Sequence, residues 1–180
     1  MINTRAMFAL LVAVYFYLRV VDADLWPPPQ VNRIPVLYHP VPDLLIPTLN
    51  LLLLLLSAIP MIWTDRACLQ RNARAVKIGL ALTVAFGIAI IGVRFREFPA
   101  LHFQWNENAY ASVTWTILGM HLLHLIIATA ENAIMTAWVF LKGLDDQHAR
   151  DVRVTATYWY WVIGIWALLY LLVYWSPRWF

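Results

Sequence analysis

Five polar side chains interrupt long apolar stretches of this chain: Asn50, Ser57, His121, His124 and Glu131. A polar group in hydrocarbon is costly, so each needs a partner or a task. Offsets of three, seven and ten residues from His121 place His124, Ala128 and Glu131 on one helical face. That face is expected to look into a helix bundle or at a neighbouring subunit, with Ala128 small enough for close contact. Imidazoles can ligate metals. Two histidines one turn apart on one helix, however, cannot supply both axial ligands of a haem, which come from opposite ring faces. A catalytic metal needs a third ligand at the same depth, and Glu131 is about 15 Å along the axis from His121. Interhelical hydrogen bonding is the favoured reading. Asn50 is matched in depth to His121 for a direct or water-mediated bond, and Ser57 to His124. Glu131 lies about 16 Å from Lys142, near mid-bilayer. Two tasks fit an acid there: a neutral acid joining helices, with Asn132 or His124 as mate, or a proton-relay site.

These residues presuppose a membrane. Of 180 residues, 62% are apolar and 13% charged, against roughly 45–50% and 25% in soluble domains. So few charges cannot cover a soluble globule, which excludes a soluble enzyme, a disordered chain and a disulfide scaffold. The net charge of +3 is too small to argue for nucleic acid, and the single Cys68 permits no intrachain disulfide. Five apolar blocks, at 6–21, 44–63, 78–93, 110–141 and 156–175, predict an all-α, polytopic bundle of five transmembrane helices in one membrane domain. The shorter first and third blocks reach span length with Arg5, Arg19, Lys77 and Arg94 snorkelling. The first block reads as a retained helix, because no small-residue cleavage site follows it. The 22–43 segment holds Pro27, Pro28, Pro29, Pro35, Pro40 and Pro42 and predicts an extended outer loop. One side of the membrane carries eight basic residues: Arg5, Arg66, Arg71, Arg74, Lys77, Lys142, Arg150 and Arg153. The other carries five: Arg19, Arg33, Arg94, Arg96 and Arg178. The positive-inside rule makes the N-terminus cytoplasmic and the C-terminus outside. Trp26, Trp63, Trp105, Tyr110, Trp138, Trp175 and Trp179 fall near expected interfaces; Trp159, Trp161 and Trp166 are expected to pack between helices.

Taken across spans two to five, the chain resembles subunit III of the haem-copper terminal oxidases (cytochrome c oxidase type). The resemblance rests first on Ala109-Tyr110-Ala111-Ser112 followed by Gly119-Met120-His121-Leu122-Leu123-His124. This is similar to the family's Tyr-small-Ser and Gly-Phe-His-x-x-His pattern. It rests next on the run from Tyr158 to Trp166, with Tyr170, Tyr174 and Trp175, which looks like the family's last helix. Pro47, Asn50, Ser57 and Trp63 match another helix in spacing, and Glu97 matches a glutamate that closes the next. The resemblance covers about residues 43–176, with a weaker match in the first span, and points to the family's five-span form.

The chain also departs from the family. The His and Asp usual in the last helix read Tyr160 and Ile163. A glutamate just before that helix reads Arg153, and another, in the helix matching the first span, aligns with Val14. Glu131 stands where the family is ordinarily apolar. Roles tied to the missing acids do not carry over.

The resemblance implies a non-catalytic core subunit of a bacterial inner-membrane oxidase. It would pack on subunit I, with subunit II and a larger respiratory supercomplex nearby. There it would stabilise subunit I and support proton uptake while the complex reduces oxygen to water. It also implies that haem and copper belong to the partner subunits, and that structural phospholipids line the grooves. An independent count agrees: of five histidines, His39, His102 and His148 fall in loops, too few for two haems and a copper, and one cysteine cannot hold a dinuclear copper centre. Two other readings are an accessory protein of nitric oxide reductase with the same fold, and a small proton-coupled transporter built around Glu131.

Overall fold

A computed structural model of the chain describes residues 2–21, 26–29 and 41–179. Every regular element among them is helical. Helix α1 (Ile2–Val21) is followed by α2 (Leu45–Leu56), α3 (Ala58–Leu69) and α4 (Ala73–Glu97). After a short 3-10 turn at Pro99–Leu101 come α5 (Ala109–Lys142) and α6 (Asp146–Tyr170). A π-helical turn (Leu171–Trp175) then leads into α7 (Ser176–Trp179). Four continuous helical segments are long and apolar enough to cross a membrane: Leu45–Leu69, Ala73–Glu97, Ala109–Lys142 and Asp146–Trp179. The 20-residue α1 is not among these four.

The helices outrun their apolar stretches because caps, not hydropathy, set where they start. Asn72 accepts from the Ala75 N–H at 3.1 Å, Asn108 from Ala111 at 2.7 Å and Asp145 from His148 at 2.8 Å. Each is a short polar side chain satisfying an otherwise orphaned first-turn donor. Helix α4 therefore begins at Ala73 rather than near 78, and α6 at Asp146 rather than near 156.

The Asp145 carboxylate is held below its ordinary range by the His148 backbone N–H, and further by the His148 side chain. Its cap is thus in force above the ordinary carboxylate range and fades as pH falls through the depressed value. The expected result is loss of hydrogen-exchange protection in the first turn of α6 on acidification. Asp145→Asn should leave that protection independent of pH in the same range.

Ser57 divides the second span. Pro60 has no N–H for the Leu56 carbonyl, so the helical ladder is interrupted there. The Ser57 hydroxyl donates within its own turn, to the Leu54 carbonyl at 2.6 Å.

Helix α4 is central, packed against α2, α3 and α5. Two glycines permit this. A Cβ on Gly79 would stand 2.0 Å from Thr64 Oγ1 of α3, and one on Gly87 would stand 2.5 Å from Thr129 Oγ1 of α5. Small residues of this kind let helix backbones approach where no hydrophobic force drives them together. Helix α6 closes the bundle against α3, α5 and α2. Its Trp159 and Trp166 are fully buried, as expected for residues packing between helices.

Helix α1 lies on α5 through rings, with Phe8 5.3 Å from His124 and Tyr15 6.1 Å from Tyr110. Trp26 joins this group, 5.3 Å from Tyr15 and 5.1 Å from Tyr110. Trp26 and Tyr110, expected at the interface, are therefore buried. Of the proline-rich segment, Pro27 and Pro42 are also buried, and Arg178 donates to the carbonyls of Pro42 and Tyr174. Residues 30–40, including Pro35 and Pro40, lie outside the described residues, and so does most of the extended loop expected there.

Candidate functional site

The last turn of α4 places Arg94 and Glu97 on one side of the helix, because three residues nearly complete a turn. Both face inward, with exposures of 0% and 1%. Arg94 Nη1 donates to Glu97 Oε2 at 2.6 Å. Asn50 of α2 donates to the same oxygen at 3.0 Å, and the Tyr174 hydroxyl donates to Oε1. Arg94 Nη2 donates to His121 Nδ1 at 3.3 Å, and its guanidinium lies 3.6 Å from the centre of the Trp166 ring. His121 Nε2 donates to the Val162 carbonyl at 3.1 Å. A neutral imidazole with its proton on Nε2 meets both contacts. One buried node thus joins α2, α4, α5, α6 and the π turn.

The π turn has a role here. It adds a residue to the helical repeat at Leu171–Trp175 and brings Tyr174 to the carboxylate. The node can hold a charge pair in an apolar bundle, because the carboxylate accepts three donors while the guanidinium has an anion, an acceptor nitrogen and an aromatic face. Arg94 Nε, Asn50 Oδ1 and Trp166 Nε1 have no hydrogen-bond partner among the described residues.

Arg94 corrects an expectation. Its charge does not snorkel to the membrane surface but is fully buried, because Glu97, His121 and Trp166 supply partners that water would otherwise provide. Asn50 and His121 are not bonded to each other; Arg94 and Glu97 stand between them. Ser57 and His124 are likewise apart. Ser57 accepts from Trp159 Nε1 at 3.0 Å. His124 donates to the Met120 carbonyl at 2.6 Å and packs its ring on Phe8 and Trp161.

Glu131 is not in the node. It lies on the exposed face of α5, while Asn132 beside it is buried and donates to the Ala128 carbonyl at 2.9 Å. Neither His124 nor Asn132 pairs with it, since both bond to carbonyls of their own helix. Ten residues at 3.6 per turn leave Glu131 about 80° from His121 around the helix. The inward positions at its depth belong to Ala128, Thr129 and Asn132.

Two members of the node, Arg94 and Tyr174, were not singled out from sequence as site residues. The signal for Arg94 is its spacing of three from Glu97 inside an otherwise apolar helix. Tyr174 is 77 residues from Glu97 and carries no local signal. Among the described residues, no group of three or more His, Cys, Asp or Glu could hold a metal ion.

Ser57→Ala should cost about 1–2 kcal/mol by leaving the buried Trp159 N–H without its acceptor. The thermal midpoint in a fixed detergent measures this, and an unchanged midpoint would show that Trp159 finds another acceptor.

The family model for cytochrome c oxidase subunit III matches residues 4–178. Cytochrome c oxidase subunit 3 of Pylaiella littoralis is 32% identical over 130 residues, 72% of this chain and 48% of that protein. The subunit 3 of Oryctolagus cuniculus is 27% identical over 150 residues, 83% of this chain and 55% of its own length. That of Patiria pectinifera is 28% identical over a stretch of the same length. The chain spans about half the length of these curated relatives.

Proposed function

The chain belongs to the cytochrome c oxidase subunit III family, and from that premise we propose that it is a non-catalytic core subunit of a haem-copper oxidase. In this reading it packs on subunit I, with subunit II in the same complex, in the inner membrane of a bacterium. It stabilises subunit I and sustains proton uptake while the complex reduces oxygen to water. Haem and copper reside in the partners.

The observation that carries a structural role is the state of His121. The best-placed ligand residue has both ring nitrogens engaged, one by Arg94 and one by the Val162 carbonyl. Such an imidazole joins helices and has no nitrogen left for a metal. The transporter reading has less support, since Glu131 stands apart from the buried polar residues.

We also propose five crossings, with α1 as the first and the N-terminus cytoplasmic. Phe8 and Tyr15 pack α1 on α5 as a bundle member. The burial of Arg94 sharpens the charge asymmetry. Without it, the outer side retains Arg19, Arg33, Arg96 and Arg178 against eight basic residues on the other side.

The test is purification of the tagged chain from its native membrane in mild detergent. Co-elution of haem- and copper-bearing subunits, with a reduced-minus-oxidised haem spectrum, is the expected result. A chain that elutes without haem proteins from membranes containing the oxidase would overturn the assignment.

A further inference from the structure

Helix α5 turns one face away from the bundle. Leu123, Ile127, Ala130, Ile134, Ala137 and Leu141 are all exposed on it. Their spacing alternates four and three residues, the repeat that keeps one seam of a helix turned toward a second helix. The neighbours of α5 within this chain, α1, α4 and α6, leave that seam uncovered. It suits a further helix crossing at about 20°, the common geometry of membrane bundles.

Apolar exposure alone would suit lipid tails, but the acid beside the seam does not. Glu131 directly follows the seam residue Ala130, at the flanking position where paired helices carry their interhelical charges. It is exposed, and among the described residues it has no hydrogen-bond or ion-pair partner. Neither Arg5 of α1 nor Lys142 of α5 acts on it. The Tyr158 phenol of α6 lies within its electrostatic reach but offers no counter-charge, and its ring is stacked on Trp161 at 5.8 Å.

The length of the seam decides what the acid requires. Exposed apolar side chains run about 12 Å from Glu131 to Leu123 and about 15 Å the other way to Leu141. The carboxyl is therefore flanked by apolar surface in both directions along the helix, and a lipid tail gives it no donor. Ionisable groups placed among apolar surface in a membrane pair with one another. A second copy of this chain, packed through the same face, would present another acid and no base. A basic side chain from a different polypeptide balances the charge.

We propose that the outer face of α5 docks a membrane-spanning helix of another subunit, which lies along the Leu123–Leu141 seam and sets a lysine, arginine or histidine against Glu131. The proposal rests on the reading of this chain as one subunit of a larger membrane complex. It does not depend on the haem content of that complex, so the two can fail separately. Haem subunits that co-elute while no base meets Glu131 sink only the docking site. A base-bearing helix captured from a haem-free complex sinks only the oxidase assignment.

The test replaces Ile134, one turn from Glu131 and 66% exposed, with a photo-crosslinking benzophenone amino acid in the native membrane. Mass spectrometry then identifies the captured peptide. The expected capture is a membrane-spanning segment of another subunit with a basic residue within one turn of the crosslink. Glu131→Lys should lower retention of that subunit on purification about tenfold or more. The unfolding midpoint of the chain itself should stay unchanged, because the side chain touches nothing in its own bundle. Replacing the captured base by glutamate should restore retention to the Glu131→Lys chain. Glu131→Gln should also lower retention, and is the deciding variant if Glu131→Lys fails to fold. Capture of lipid alone, of a second copy of this chain or of a segment without a base would overturn the proposal. Unchanged retention in the deciding variant, or no rescue by the exchanged charges, would overturn it as well.

Discussion

Glu97→Ala should destabilise the chain by about 3–5 kcal/mol, the cost of leaving one partner of a buried ion pair alone. Three donors lose their acceptor at once: Arg94, Asn50 and Tyr174. Asn50 and Tyr174 become unpaired polar groups, and Arg94 becomes an uncompensated cation with no exposed surface. Its remaining contacts, the His121 nitrogen and the Trp166 ring, carry no negative charge. The measurement is the unfolding midpoint in a fixed detergent, together with retention of the partner subunits on purification. The double variant Arg94→Met, Glu97→Gln should recover more than half of the loss. It removes both charges while the Gln side-chain oxygen still accepts from Asn50 or Tyr174. Charge, rather than shape, is then the source of the penalty. A Glu97→Ala chain as stable as the wild type would show that water reaches Arg94.

The second large effect is expected at Gly79. Even alanine there puts a Cβ 2.0 Å from Thr64 Oγ1 and 3.3 Å from the Pro60 carbonyl oxygen. The hydroxyl cannot simply turn away, because it donates to that same carbonyl at 2.7 Å. Helices α3 and α4 must separate, at a cost of about 1–3 kcal/mol for overpacking. Thr64→Ala removes the obstructing hydroxyl. The pair Gly79→Ala, Thr64→Ala should therefore be more stable than Gly79→Ala alone, a coupling that a double-mutant cycle measures directly. Gly92→Ala is the control, since a Cβ there meets nothing within 4 Å. Equal losses at Gly79 and Gly92 would mean that the effect lies in the helix backbone rather than in the α3–α4 contact.

Much of the architecture was legible because hydrophobic length and period report directly on helices in a bilayer. His121 was recognisable as inward-facing because it is a polar residue in an apolar helix. Trp159 and Trp166 were recognisable as packing residues because they fall within the last apolar block. Arg94 was misread for a physical reason. Arginine near the end of an apolar block ordinarily reaches for the surface, and only its pairing with Glu97 removes the incentive. Glu131 was misplaced because a stripe of four residues was extended past the point where helical drift carries it off the face. The partner of the carboxylate in the last span, Tyr174, depends on a local π turn that hydropathy does not encode.

The spacing of Arg94 and Glu97 also bears on how the chain enters the membrane. The two are three residues apart, so they meet as soon as the last turn of α4 forms. Asn50 precedes that helix, whereas His121 and Tyr174 come from segments translated later. The charge pair therefore passes into the bilayer already neutralised within its own helix. A lone arginine or glutamate there would carry its full desolvation cost until a mate arrived from another segment. Helix α4 carries its counter-ion with it, and the later helices dock onto a dipole instead of rescuing a bare charge.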